Sequence, residues 1–332
     1  MKEKLIVYWS RRDFRLEDNP ALWSALEDSK MQSAPFIPLF IIEEYMVRAE
    51  TNFQFGYPSR FFLAQALPSF TEHFDQFLIA RGKGAETLIT LSKLYDISIY
   101  VNEDVYIDFY KQIKKIRALS IEVKVFKDFL TINREIKSGQ GNYYSVFTPF
   151  KNAVWQEFLT SEIKPKSNPK KGLRLSNEEF LRIEKLFPTV PVNTEMLWNT
   201  FSKNRLIQVG QHTIDLDDYT KLPNLADWYY TEKEALSHFS AFLNEQFLSH
   251  YKGNRNSLEK DTRELKVGKF TLRGRTSRMS LALAWGLVSA RMLRKMAQDH
   301  YGESFTDINV IKKNDGPITF FSELIWREFY KY

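Results

Sequence analysis

Apolar positions in the first 126 residues fall into two alternating patterns, short unbroken runs and runs at helical spacing. Residues 5–9 (Leu-Ile-Val-Tyr-Trp) and 36–42 are continuous β-branched and aromatic runs, as expected of strands buried on both faces of a parallel sheet. Residues 97–101 and 122–126 have the same character. Between them, Asn19-Pro20 supplies an N-cap and a first-turn proline ahead of an amphipathic stretch over 21–26. Phe61, Phe62, Leu67, Phe70, Phe74 and Phe77 form an apolar stripe that predicts a helix over 60–80, and 106–119 predicts another. Strands alternating with helices predict an α/β domain with a doubly wound parallel sheet, which binds ligands at the carboxyl ends of its strands.

The pattern then loosens. Gly139 and Gly141 open a loop, and Pro149 is expected to hold Thr148 outside a helix that resumes at Asn152. Residues 161–235 are punctuated by Pro165, Pro169, Pro188, Pro191 and Pro223, and the lysine-rich span 164–172 reads as a solvated linker. Helical spacing returns from Thr231, with Ala235, Leu236, Phe239, Phe242, Leu243 and Phe247 on one face. Three segments follow: 1–135 as the α/β domain, 136–230 as a connector, and 231–332 as a helical domain.

A length of 332 residues fits two domains. The net charge of +6 permits a polyanionic partner, and an aromatic content of 15% would suit a protein that holds flat rings. Cysteine is absent, which removes disulfides, thiolate metal sites and thiol nucleophiles and fits a reducing compartment. The five histidines show no i, i+4 pair, so no metal site is expected. The longest apolar run, 34–42, is too short to span a bilayer, and no leader-like stretch opens the chain. A soluble, cytoplasmic protein with no membrane association is the expectation.

The first βα turn carries no Gly-x-Gly-x-x-Gly, and Gly82-Lys83-Gly84 lacks P-loop spacing, so common nucleotide folds lose support. In place of glycines stands Arg11-Arg12-Asp13-Phe14-Arg15-Leu16-Glu17-Asp18-Asn19, which reads either as an ion-paired surface turn or as a binding loop. Late in the chain, Gly274-Arg275-Thr276-Ser277-Arg278-Met279-Ser280 sets hydroxyls and guanidiniums at the start of the apolar-rich segment 279–296. Such a stretch is either a capped helix or a phosphate grip.

Four stretches together identify a family. Residues 7–22, Val-Tyr-Trp-Ser-Arg-Arg-Asp-Phe-Arg-Leu-Glu-Asp-Asn-Pro-Ala-Leu, resemble the opening of the DNA photolyase/cryptochrome family, a strand followed by W-F-R-R-D-L-R-L-x-D-N-P-A-L. Residues 146–150 resemble its V-F-T-P-F, and 275–280 resemble its G-T-S-R-L-S, with Arg275 in place of Gly and Met279 in place of Leu. Residues 321–330 resemble its F-L-x-E-L-I-W-R-E-F-Y.

The resemblance implies an α/β domain holding an antenna chromophore (methenyltetrahydrofolate or a deazaflavin), followed by the first part of an all-α FAD-binding domain. Asp108 would fall at the antenna position. Thr276, Ser277, Arg278, Met279 and Ser280 would bind the FAD pyrophosphate, with Tyr251 near the flavin. Glu323 and Trp326 would act on the lesion, with Trp326 stacking on an extruded base and Glu323 hydrogen-bonding it. Arg255, with Arg263 as a rival, Arg327 and Tyr330 would line the DNA side. The implied activity is light-driven repair of cyclobutane pyrimidine dimers by an electron from reduced FAD, performed on damaged DNA by a monomer. In the family several helices follow the W-R-E-F-Y segment, so the chain reads as C-terminally truncated. A cryptochrome-type photoreceptor and a non-catalytic antenna-domain remnant stay open as alternatives.

Overall fold

The structure, a computed structural model, describes residues 2–47, 57–132, 135–160, 171–201, 206–209, 212–215, 228–244, 247–255, 264–267, 270–273, 276–301 and 316–331. Gly274, Arg275, Arg263 and the lysine-rich span 164–170 lie outside the described residues.

The first elements are β1 (Lys4–Ser10), α1 (Pro20–Met31), β2 (Phe36–Ile42), α2 (Glu44–Val47), α3 (Tyr57–Thr71) and β3 (Leu78–Arg81). They continue with α4 (Gly84–Ser92), β4 (Asp96–Asn102), α5 (Ile107–Arg117) and β5 (Glu122–Phe126). The five strands form one parallel sheet in the order β3-β2-β1-β4-β5, the doubly wound arrangement expected. β1 is central, flanked by β2 and β4, and residues 5–9 are all buried, hence their unbroken apolar run. Leu5, Val7 and Trp9 share one core with Ile37, Leu39, Ile99 and Val101 and with Leu88, Phe109 and Ile113 from the helices.

Two local expectations are corrected. The helix predicted over 60–80 ends at Thr71, three residues past Pro68, and 78–81 is a strand. Pro68 removes a backbone donor, and the Thr71 hydroxyl donates to the Pro68 carbonyl, closing the last turn. The last three phenylalanines of the stripe still pack together: Phe70 lies 5.2 Å from Phe74 and 5.9 Å from Phe77. Pro149 does not hold Thr148 outside a helix, because α6 (Phe147–Thr160) contains both. Pro149 falls in the first turn, where a backbone N–H has no intrahelical acceptor to lose.

The remaining elements are α7 (Asn177–Glu184), α8 (Thr194–Phe201), β6 (Leu206–Val209), β7 (His212–Asp215), α9 (Glu232–Asn244), α10 (Tyr251–Asn254), β8 (Glu264–Val267), β9 (Phe270–Arg273), α11 (Met279–Trp285), α12 (Ala290–Tyr301) and α13 (Gly316–Phe329). The chain divides into two compact units, Met1–Phe126 with Asn168–Thr231, and Lys127–Ser167 with Glu232–Tyr332. The span 136–230, expected as one connector, is therefore shared between them.

In the first unit the returning segment caps the edge strand β3 and the start of β2, where β3 does not reach. Arg81 N donates to Pro188 O at 2.7 Å, and Phe36 N donates to Leu173 O at 2.8 Å. Both contacts occupy backbone groups that would otherwise be open to strand addition. The second unit is mainly helical, with one antiparallel hairpin, β8–β9, in the stretch between Arg255 and Thr276.

Candidate functional site

A doubly wound sheet places ligands at the crest formed by the carboxyl ends of its strands. Its topological switch point lies between β1 and β4, where the charged first loop emerges. That loop is neither a surface turn nor an open binding loop, since Asp13, Phe14, Arg15 and Asn19 are all buried. Asp13 accepts from Ser10 Oγ at 2.9 Å, from Arg11 N at 3.0 Å and from Asn102 Nδ2 at 2.7 Å. Asn102 also donates to Asn19 Oδ1 at 2.8 Å, and Asn19 Nδ2 donates to the Tyr8 hydroxyl at 2.9 Å. Asn19 Oδ1 accepts from Leu22 N as the N-cap of α1. Asp13 and Asn19 thus close the switch point with the chain's own side chains. Burial, and then Asp13, hold the Tyr8 phenol well above its ordinary pKa.

Beside this knot, Arg11 pairs with Asp104 at 3.2 Å and with Glu43 at 3.6 Å, while its guanidinium lies 4.8 Å from the Trp9 ring centre. Burial pulls the Arg11 pKa down, but the two carboxylates outweigh it and the net direction is up. Glu43 also moves up, because its own burial outweighs one longer ion pair. Gln112 bridges Glu43 to Asp108 with donor distances of 3.1 and 2.9 Å. Gly84 closes against this group: a Cβ there would sit 2.2 Å from Gln112 Oε1 and 2.6 Å from Trp9. Asp108 is exposed in the first turn of α5, on the rim of a cleft of about 420 Å³ lined by Glu43, Tyr45, Lys83, Glu86 and Lys111.

The second unit gathers most of the other expected residues. α13 approaches residues 248–249 so closely that a Cβ on Gly316 would lie 2.1 Å from the Leu248 carbonyl oxygen. Only glycine allows that approach, and it sets α10 against α13. Arg255, one turn after Tyr251, then forms its ion pair with Glu323, 68 residues away in sequence. The i, i+4 spacing of Glu323 and Arg327 allows an ion pair within α13; the carboxylate reaches Arg255, and Arg327 donates to the carbonyls of Phe129 and Leu283 at 3.3 and 3.2 Å. Tyr251 is buried, which raises its pKa, with Glu323 adding to the rise and Arg255 opposing it.

The segment 279–296 is not one helix. α11 has seven residues and ends on Gly286 at φ +65°, and α12 begins at Ala290. The helix-dipole contribution at Met279 is accordingly small, and what remains is local. Arg278 adopts a left-handed conformation (φ +50°) at the N-cap of α11, a geometry costly for a residue with a Cβ. Ser277 is buried and its hydroxyl lies 3.5 Å from Met279 N. Ser277 also interacts through its side chain with Tyr251 and through its backbone with His238. Thr276 and Arg278 are half-buried and Ser280 is exposed, whereas the Met279 side chain is core. Burial, and then Arg278, lower the His238 pKa to about 4, so the imidazole is neutral.

Trp326 and Tyr330 stack one turn apart on α13 at 5.4 Å, and Tyr330 is 78% exposed. Phe147 stacks on Trp326 with ring centres 3.4 Å apart and planes at 11°. Sequence reasoning did not find this partner, nor three buried charges that hold residues 128–131. Arg291 donates to Asp128 Oδ1 at 3.0 Å and Arg294 to Thr131 O at 3.2 Å, while Glu328 accepts from Thr131 N and Oγ1 at 2.8 and 2.6 Å. Burial lowers Arg294 to about 9 and raises Glu328. A glutamate in the middle of an otherwise apolar helix face was the available signal for Glu328.

Among the described residues no helix is long and apolar enough to cross a membrane, and no three His, Asp or Glu side chains group as metal ligands.

Residues 6–170 match the DNA photolyase family model. The chain is 25% identical to a Neurospora crassa deoxyribodipyrimidine photo-lyase, with 98% of this chain aligned to 50% of the relative, so it spans about half that protein's length. A cryptochrome structure from Synechocystis superposes with a TM-score of 0.64 at 18% identity, covering 100% of this chain and 61% of that one. An archaeal photolyase from Sulfolobus tokodaii, solved with two FAD molecules, superposes with a TM-score of 0.56 at 18% identity, covering 98% of this chain and 58% of that one. The family match spans the opening loop whose buried knot closes the switch point and reaches α6, and both superpositions share the fold; the chain belongs to the DNA photolyase/cryptochrome family.

Proposed function

We propose that the protein is a flavin-dependent photolyase that repairs cyclobutane pyrimidine dimers in DNA. The observation that carries this reading is the set on α10 and α13: a charged Arg255–Glu323 pair beside buried Tyr251, with Trp326 and Tyr330 one and two turns further along α13. A carboxylate, a cation and flat rings at half-exposed positions suit the recognition of an extruded base.

The residues at 276–280 fit the phosphate end of FAD. Thr276, Arg278 and Ser280 keep side chains at least partly accessible, the first backbone N–H groups of α11 lack intrahelical acceptors, and neutral His238 adds no second charge behind Arg278. Ser277 and Met279 contribute backbone, since their side chains face the interior. When bound, reduced FAD supplies the light-driven electron. Glu323 accepts a hydrogen bond from an N–H of the lesion base, Trp326 stacks against that base, and Arg255 fixes the Glu323 carboxylate and offsets its charge. Arg327, tied to carbonyls within its own unit, orients α13 and contributes positive potential toward phosphate. Exposed Asp108 and its cleft are the antenna candidates, and binding of a folate or deazaflavin there belongs to the same proposal.

The test is repair of a dimer-containing oligonucleotide by the full chain loaded with reduced FAD. Illumination is expected to split the dimer back to two pyrimidines and darkness is not, and Glu323→Ala is expected to lower the yield by about tenfold or more. Bound flavin with no light-dependent repair would contradict the proposal.

A further inference from the structure

We infer that Phe147 is a built-in competitor for the base-stacking face of Trp326, a residue that must leave before a base can enter. This rests on the base-stacking role proposed above for Trp326. A ring-centre distance of 3.4 Å with an 11° interplanar angle is a face-to-face stack, the geometry an incoming base would itself adopt. The contact therefore covers a face of the indole that a base would use. It does so in a unit where Trp326 is only half-buried and Tyr330 is exposed, so the stack stands at the surface and is not a core packing.

Phe147 is placed to move. It is the first residue of α6, half-exposed, and follows a loop with Gly141 at φ +79° and nothing within 4 Å of a Cβ built there. The next backbone bond behind it, Phe150 N to Val146 O, is long at 3.5 Å. Besides Trp326 it touches Phe329, edge-on at 5.7 Å, whereas Phe150 is buried and anchors the helix. A side-chain rotation at Phe147 would uncover the indole while Phe150 keeps α6 in place. Until then the stack keeps the indole face out of water and its plane fixed.

Competition of this kind lowers affinity for every base by a common factor, which single-stranded oligothymidylate can report. Binding of a fluorescent oligothymidylate to the full chain at one fixed salt concentration is compared for wild type, Phe147→Ala, Phe147→Leu, Trp326→Ala and the Phe147→Ala/Trp326→Ala double variant. Both Phe147 variants are expected to bind roughly threefold to tenfold more tightly, the scale of one aromatic pair. Trp326→Ala is expected to bind more weakly, and the double variant is expected to lose the gain. Weaker or unchanged binding by both Phe147 variants would overturn the inference, as would loss of folded far-UV circular dichroism in both, which would make Phe147 core. Wild-type affinity in Trp326→Ala would instead remove the base-stacking reading on which the inference stands.

Discussion

The crest of the parallel sheet and the α10–α13 face both bring charged and aromatic side chains together, but they treat water in opposite ways. At the crest, Asp13, Asn19, Asn102 and Tyr8 are buried and hydrogen-bonded to one another. On the helical face, Arg255, Glu323 and Trp326 are half-exposed or exposed. Burial with full pairing makes the first group a structural knot, in which loss of one member strands the others. Partial exposure leaves the charged atoms of the second group in contact with water, while Phe147 and Tyr330 stack on Trp326. Motif content alone does not separate the two, since both carry strong family resemblance; exposure does.

The contrast is most easily broken at Asn102. Replacing it with leucine removes the donor to Asp13 Oδ2 and Asn19 Oδ1 and the acceptor for Ala21 N, and a loss of about 3 kcal/mol or more is expected in urea unfolding. A change below about 1 kcal/mol would mean the knot is not cooperative.

Acid sharpens the comparison within the helical unit. The folded pKa of His238 is lowered to about 4, against roughly 6.5 in an unfolded chain. Between those values the unfolded chain holds the extra proton. The stabilising effect is therefore complete above pH 6.5 and is lost as pH falls toward 4, by up to about 3 kcal/mol. His238→Gln should flatten that part of the pH–stability curve, and an unchanged slope would assign it to other groups.

Much of the crest was legible because its logic is local. The β-branched runs placed four of the five strands nearly to the residue, and Asn19-Pro20 announced the start of α1. β3 was lost because Phe70, Phe74 and Phe77 kept helical spacing across a turn, and four residues of strand are too few to show a period. The burial of the charged loop depended on Asn102, more than eighty residues from Asp13, and no local pattern announces that partner.

The same limit applied to the candidate site. Tyr251, Glu323 and Trp326 were readable as motif positions, but Arg255–Glu323, Phe147–Trp326 and His238–Ser277 are contacts between distant segments. Gly316, which lets α13 approach residues 248–249, carries no signal until the two backbones are seen together.

Smaller effects complete the contrast. Trp326→Ala is expected to weaken single-strand binding by about 1–3 kcal/mol, measured by fluorescence anisotropy. Glu323→Gln is expected to change unfolding stability by less than about 1 kcal/mol, because its ion pair is solvent-accessible. A large stability loss there would make the pair structural, like the knot.

The most direct measurement is a flavin titration of the full chain, comparing FAD with riboflavin, which lacks the phosphates, for wild type and Arg278→Ala. A grip at 276–280 predicts saturable FAD binding, much weaker riboflavin binding, and an FAD affinity that falls roughly tenfold or more in Arg278→Ala with its charge-assisted contacts removed. Equal affinity for FAD and riboflavin, or an Arg278→Ala protein that binds FAD as wild type does, would contradict it.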